Sequence, residues 1–171
     1  MKDYGTIVDG RAVVFHRLLD GPIERVWDYL TKREHLATWL GDGEIGVTGS
    51  KFALKQQGPK VPHPTGATIE GTVVSCNPPR RLSYTWIHLP PGATKSTIAE
   101  SIVTMELEPV GDKVRLTVTH SDIDPAFVAR LGTGWHSFLD ILARRMAGRE
   151  PEPTQQMFAR LLPEYERKVS C

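Results

Sequence analysis

The spacing of apolar side chains predicts a helix within PIERVWDYLT, residues 22–31. Four of these side chains recur at i, i+3, i+4 and i+7 and therefore share one helical face: Ile23, Val26, Trp27 and Leu30. Pro22 suits the first helical position because it has no N–H to leave unsatisfied. The preceding run Ala12–Leu19 is apolar and β-branched, which predicts a strand. The fold therefore begins with a strand and continues at once into a helix.

A second short helix is predicted directly after the first. Thr31 would open it, because Glu34 stands three residues later and the two side chains could form a capping box. Leu36, Trp39 and Leu40 would form its buried side. The two helices together make a hairpin inserted after one strand.

From residue 41 onward, glycine punctuation and short alternating runs indicate β-structure. The predicted strands are Lys51–Lys55, Ala67–Cys76, Arg81–Leu89, Thr97–Glu108 and Lys113–His120. Turn-forming Pro, Gly and Asn residues separate the longer runs, so we expect an antiparallel meander. The segment Gln56–Gly66 holds too many Pro and Gly residues for a central strand and is predicted to be a mobile loop.

The last third of the chain becomes helical again after Asp124-Pro125. A long amphipathic helix is predicted from Gly134 to Gly148, with one apolar face: Trp135, Phe138, Leu139, Leu142 and Met146. A further helix is predicted around Met157–Tyr165, which Pro163 should kink or interrupt. The length of 171 residues fits a single α+β domain, with a core over about residues 12–148 and a C-terminal helical extension over 149–171.

Composition excludes several classes of partner. Lys and Arg number 21 against 20 Asp and Glu, without a basic cluster, so we expect no nucleic acid to bind. The apolar runs are far shorter than the roughly 20 residues of a membrane span, and the N-terminus has no signal pattern, so we expect a cytoplasmic protein. Cys76 and Cys171 fit no zinc or CxxC spacing and are expected to be free thiols. The sequence does not distinguish a monomer from a homodimer.

Several stretches of the chain resemble a known family: residues 22–31 with Glu34 and Trp39, residues 78–86, residues 114–121, and Gly134-Trp135. Together they resemble the START-related (SRPBCC) superfamily and, within it, bacterial proteins similar to the C-terminal domain of the activator of heat-shock protein 90 ATPase. The resemblance covers about residues 12–148, and residues 159–166 also look similar to such proteins. It implies a helix-grip fold, in which a curved antiparallel sheet wraps a long C-terminal helix and leaves a cavity between them.

The resemblance implies a wider range of functions than of folds. Relatives bind lipids, sterols, polyketides or hormones in the cavity, and some are cyclases or dehydratases. We therefore expect a protein that binds a small hydrophobic molecule. Two alternatives stay open: a small enzyme of cyclase, dehydratase or hydrolase type, and a module that contacts a chaperone or another protein. The eukaryotic activator carries a separate N-terminal chaperone-binding domain, for which 171 residues leave no room.

Strand alternation predicts the lining of the cavity, because residues two apart face the same side. This periodicity, together with the helical stripes, gives a lining of aromatic and aliphatic side chains with a few polar points, as small-molecule pockets have. The expected ligand contacts are Trp39, Tyr84, Trp86, His88, Ser101, Val103, Met105, Val118, His120, Trp135, Phe138 and Leu142.

Two histidines are the candidates for acid–base chemistry, since imidazole titrates near neutral pH. We expect His88 and His120 to hydrogen-bond a ligand rather than to catalyse, so no catalytic residue is predicted. His120, Ser121 and Asp122 contain the letters of a hydrolase triad, but neighbours on a strand point to opposite faces. The six histidines lack a metal-binding spacing and no phosphate-binding glycine motif occurs, so neither a metal nor a cofactor is expected.

Overall fold

Seven antiparallel strands form one sheet in the computed structural model, which describes residues 3–62 and 64–171. The strands are β1 (Thr6–Val8), β2 (Ala12–Asp20), β3 (Lys51–Lys55), β4 (Thr68–Asn77), β5 (Arg81–Leu89), β6 (Ser101–Val110) and β7 (Lys113–Ser121). Their spatial order is β1-β2-β7-β6-β5-β4-β3. Strands β3 to β7 are therefore consecutive neighbours, which confirms the predicted meander, and β7 joins the meander to β2.

The inner face of the sheet follows the predicted alternation. Trp86 pairs with Ser101 across β5 and β6, and Val103 pairs with His120 across β6 and β7. Side chains two apart on these strands are buried together: Leu82, Tyr84 and Trp86; Ser101, Val103, Met105 and Leu107; Leu116, Val118 and His120. This row of buried residues forms the sheet's half of the hydrophobic core.

Two helices, α1 (Ile23–Thr31) and α2 (Arg33–Leu36), follow β2 as predicted. The observed ends of these helices correct two details of the sequence-based prediction. Pro22 is the N-cap of α1 rather than its first helical residue. Thr31 ends α1 instead of opening α2, because its hydroxyl donates to the carbonyl of Trp27 at 2.9 Å and is not available for a capping box.

The long helix α3 (Val128–Met146) begins six residues before the predicted Gly134, after a 3-10 turn at Pro125–Phe127. The helix continues through two glycines because Val128 and Thr133 are packed into the core and hold the backbone helical. The last helix, α4 (Thr154–Val169), also continues through Pro163, so the predicted interruption is wrong. Burial of its apolar side chains Met157, Leu161 and Tyr165 stabilises it despite the lost hydrogen bond.

Two strand predictions also need correction. The five strands predicted after the helical hairpin are all present in the described part of the chain. Strand β1 was missed because three residues are too few to show a period, and β6 begins at Ser101 rather than Thr97. The predicted loop Gln56–Gly66 has neither helix nor strand where it is described, and its residue 63 lies outside the described residues, as do residues 1 and 2.

The core lies between the inner face of the sheet and helix α3, with α1 at one end and α4 packed on the outer side of α3. Its largest fully buried side chains include Trp39, Tyr84, Trp135 and Tyr165. A sheet that packs on a long C-terminal helix, with two short helices after the early strands, is the helix-grip arrangement that the resemblance implied. Within residues 3–62 and 64–171, no helix is both long and apolar enough to cross a membrane.

Candidate functional site

A cavity of about 480 Å³ lies where the ends of β5 and β6 meet the start of α3 and helix α4. Its lining is mostly apolar and comes from widely separated parts of the chain: Thr65, Trp86, His88, Pro90, Ile98, Ala99, Ser101, Phe127, Arg130, Leu131 and Phe158. A volume of this size is within the range of roughly 300 to 1,000 Å³ that small-molecule sites occupy. The cavity is therefore large enough for a small organic ligand.

Local structure explains how each wall is placed. Trp86 and His88 share a face of β5 because they are two residues apart, and Ser101 is the strand partner of Trp86 on β6. Asp124 caps the 3-10 turn by accepting from the backbone N–H of Ala126 at 3.0 Å, which orients the chain so that Phe127 reaches the cavity. The early start of α3 brings its first turn to the same place.

A hydrogen-bond chain joins Trp135, His120 and Ser101 behind the cavity wall. The indole Nε1–H of Trp135 donates to Nδ1 of His120 at 2.8 Å, and Nε2 of His120 lies 2.6 Å from the hydroxyl of Ser101. An indole N–H can only donate, so Nδ1 must be unprotonated and the neutral ring must carry its proton on Nε2. His120 therefore donates to Ser101, and the Ser101 hydroxyl accepts.

This arrangement decides what His120 can do chemically. Burial lowers its pKa to about 3, so the ring is neutral near pH 7. With Nε2 protonated, the ring cannot take the proton of Ser101, and the pair cannot work as a nucleophile and its base. Ser121 is on the opposite side of β7, as its neighbouring position requires, so the letters of a triad at residues 120–122 do not form one.

Three buried side-chain polar atoms have no hydrogen-bond partner among the described residues: the hydroxyl of Tyr84, the indole Nε1 of Trp86 and Nε of Arg145. Tyr84 is fully buried against Phe52, with ring centroids 5.1 Å apart, and burial raises the pKa of its phenol well above the ordinary value. Trp86 packs on Trp135 at a centroid distance of 5.4 Å and also lines the cavity. An unpartnered buried donor is uncommon in folded proteins and identifies Trp86 as a candidate ligand contact.

His88 and Glu100 are near the mouth of the cavity and differ in burial. His88 is partly buried, and its burial lowers the pKa of the imidazole below the ordinary value. Glu100 is exposed, directly precedes β6 and is not among the residues that line the cavity. The described residues contain no cluster of three or more His, Cys, Asp or Glu side chains that could hold a metal ion.

The structure brings three of the twelve predicted ligand contacts to this cavity: Trp86, His88 and Ser101. The other nine are in the packed interior or against it: Trp39, Tyr84, Val103, Met105, Val118, His120, Trp135, Phe138 and Leu142. His120 and Trp135 support the wall indirectly, through Ser101. The binding roles of all twelve residues stay predictions.

Sequence reasoning missed the cavity residues contributed by the helices, among them Phe127, Arg130, Leu131 and Phe158. The start assigned at Gly134 left residues 127–133 outside the long helix. Asp124-Pro125 is a typical helix-start pair and is the signal that could have placed Phe127, Arg130 and Leu131 in a helix.

A groove of about 670 Å³ on the surface is larger than the cavity, but its character is different. It is open to solvent and lined mainly by polar and charged side chains around the Arg33–Asp42 ion pair, in which Nε of Arg33 is 2.7 Å from the carboxylate. Such a surface suits water better than an apolar ligand. The cavity beside Trp86 is therefore the better candidate site.

Comparison with known proteins finds a matching family model and several solved structures of similar fold. A family model described as activator of Hsp90 ATPase homolog 1-like protein matches residues 20–147. The solution structure of the protein encoded by gene BPP1335 from Bordetella parapertussis is 32% identical, with a TM-score of 0.72 over 96% of this chain and 89% of that chain. A search of curated proteins found no match.

Two further solved structures are similar in fold. CalU16 from Micromonospora echinospora has a TM-score of 0.73 at 20% identity, covering 98% of this chain and 96% of that chain. DynU16, a protein of the dynemicin biosynthetic locus, has a TM-score of 0.67 at 24% identity, covering 84% of this chain and 49% of that chain. At these identities the likeness shows the fold alone.

Proposed function

This chain belongs to the family of activator of Hsp90 ATPase homolog 1-like proteins, and from that premise we propose that it binds a small hydrophobic molecule in the cavity beside Trp86. The observation that carries the proposal is the cavity itself, which combines a volume of about 480 Å³ with a mainly apolar lining and a few polar groups. Burial of apolar ligand surface would drive binding, at about 25 cal/mol per Å² before the costs of association.

Binding without chemical conversion is the expected behaviour. A general base needs an unprotonated atom within reach of its substrate and usually a second group that orients it. Nε2 of His120 is protonated and already donates to Ser101. His88 lines the cavity, but its ring makes no hydrogen bond with a described residue that would orient it. We therefore favour a binding protein over the cyclase, dehydratase or hydrolase alternative. The chaperone contact that the family's name suggests stays a prediction.

A titration with an apolar fluorescent dye tests the proposal. We expect wild type to bind the dye, and Phe158→Ala to weaken that binding roughly tenfold because it removes an aromatic wall. The matched control is Leu162→Ala, which removes a partly buried side chain one turn further along α4, outside the lining of the cavity. Absence of dye binding by folded wild type, or equal weakening by both variants, would refute the proposed site.

Native mass spectrometry of freshly purified protein gives an independent readout. A small molecule that remains bound would appear as a discrete added mass, and the Phe158→Ala variant should retain less of it than Leu162→Ala.

A further inference from the structure

The polar side chains that line the cavity offer a ligand more hydrogen-bond donors than acceptors. Resting on the proposed function, we infer that the ligand is an amphiphilic organic acid, whose carboxylate is bound by Arg130 and Ser101 and whose apolar body packs on Phe127, Leu131 and Phe158.

The first step concerns Ser101. Its hydroxyl oxygen accepts from Nε2–H of His120, as the Trp135 hydrogen bond requires. Its own proton is therefore not used in that bond and has no other partner among the described residues. Ser101 is buried and lines the cavity, so it offers an O–H donor to a ligand.

The second step concerns the other polar side chains of the lining. Trp86 contributes an unpartnered Nε1–H, which can only donate. Thr65 is already occupied, since its hydroxyl donates to Gln56 at 2.9 Å and accepts from the N–H of Ala67 at 3.2 Å. His88, when neutral, provides one donor and one acceptor. The cavity therefore presents more donors than acceptors, and its ligand should carry acceptor oxygens.

The third step concerns charge. Arg130 is exposed at the first turn of α3 and makes no ion pair or hydrogen bond with the described residues. No Asp or Glu is among the described residues that line the cavity. The guanidinium of Arg130 therefore gives this lining a positive charge that no carboxylate in it offsets. A guanidinium binds a carboxylate with two parallel hydrogen bonds, which a neutral carbonyl cannot match.

The size of the cavity limits the apolar part. A volume of about 480 Å³ suits one medium-length chain or a small ring system rather than a lipid with two long chains. Decanoate and its methyl ester are a matched pair of probes, because they share the chain and the carbonyl and differ in charge.

The test is competition of the two probes with the fluorescent dye at pH 8, where the acid is ionised. We expect decanoate to displace the dye from wild type at roughly one tenth of the concentration that methyl decanoate needs. Arg130→Gln should remove this preference by weakening decanoate about tenfold while the ester changes less than twofold. Ser101→Ala should weaken both probes, because both have a carbonyl oxygen. The control is Arg115→Gln, on the outer face of β7 and paired with Glu108, which should change neither.

The possible failures are distinguishable. Equal competition by acid and ester, or a preference for the acid that Arg130→Gln leaves intact, would overturn the inference while the hydrophobic cavity stands. Dye binding that neither probe displaces would overturn it as well. Absence of dye binding by wild type would overturn the proposed function itself. Because Arg130 is exposed and makes no structural contact through its charge, Arg130→Gln should stay folded, which circular dichroism would verify.

Discussion

At the residue scale, His120 shows how burial and partners together fix a protonation state. Its side chain is fully buried between Trp135 and Ser101, and both ring nitrogens are hydrogen-bonded. The bond that Nδ1 accepts from Trp135 is one that only the neutral ring can make. Protonation would put a hydrogen on Nδ1 of His120, so two N–H donors would face each other, one from His120 and one from the indole of Trp135. The neutral state is therefore a condition of the folded structure.

This condition predicts that the protein loses stability in mild acid. In the unfolded chain His120 regains its ordinary pKa near 6.5, whereas in the folded chain burial lowers it to about 3. Between these values the unfolded state binds more protons, so the free energy of unfolding should fall as the pH drops below about 6.5 and continue to fall to about pH 3. At pH 5 the loss from His120 should be on the order of 2 kcal/mol. The same sign applies to His136, whose pKa burial also lowers.

Urea unfolding at pH 7.5, 6 and 5 measures this loss. The variant His120→Asn should show a shallower dependence on pH than wild type. Identical pH dependence in the two proteins would contradict the prediction. If His120→Asn does not fold, the NMR signals of the His120 ring in wild type provide the readout and should show no titration above pH 5.

At the element scale, the contact between α3 and α4 depends on one small residue. A Cβ added at Gly132 would be 2.9 Å from the Tyr165 ring, closer than real Cβ contacts allow. Hydrogen bonds to Gly5 and His136 hold that ring in place, so it cannot easily move aside. Gly134 is on the same helix, but an added Cβ there would be 3.8 Å from Phe138, which is an ordinary contact.

Substitution by alanine should therefore change the free energy of unfolding in opposite directions at Gly132 and Gly134. Gly134→Ala should raise the free energy of unfolding by up to about 1 kcal/mol, because alanine favours the helix. Gly132→Ala should lower it by about 1–3 kcal/mol, because overpacking against Tyr165 outweighs that gain. Chemical denaturation of both variants measures the difference, and an increase in stability from Gly132→Ala would show that the helices do not pack as described.

At the scale of the whole molecule, the two ends of the chain are tied to each other. The backbone N–H of Gly5 donates to the hydroxyl of Tyr165 at 2.8 Å, and that hydroxyl is 2.9 Å from Nδ1 of His136. Nearby, the buried guanidinium of Arg17 is 3.4 Å from the carboxylate of Asp140. Residues 149–171 thus share one polar network with Gly5, β2 and α3, and we propose that they unfold together with residues 12–148 as a single domain.

Tyr165→Phe tests this coupling. It leaves the Gly5 N–H and the His136 Nδ1 without a partner in a buried position, so we expect a loss of about 2 kcal/mol or more in the free energy of unfolding. Calorimetry should show a single transition in wild type and in the variant, at a lower temperature in the variant. Tyr29→Phe is the matched control and should change little, since the Tyr29 ring stacks on His35 and loses no hydrogen bond from the described structure. A separate early transition for α4 would contradict the single-domain prediction.

Local spacing in the sequence was enough to predict the order of elements from β2 onward and the buried faces of the strands. Alternation along Leu116, Val118 and His120 places all three inside, because a strand has a fixed period of two residues. Helical spacing likewise predicted the buried side of the long helix. These properties are local, since they depend on residues a few positions apart.

The start of α3, the continuity of α4 and the composition of the cavity depend on packing between distant parts of the chain. Helix α4 continues through Pro163 because packing on α3 outweighs a local preference. The cavity draws Trp86, Arg130 and Phe158 from one strand and two helices, and no local pattern links such distant positions. The tautomer of His120 depends on a hydrogen bond from Trp135, 15 residues away in sequence, so it too was decided only when the chain packed.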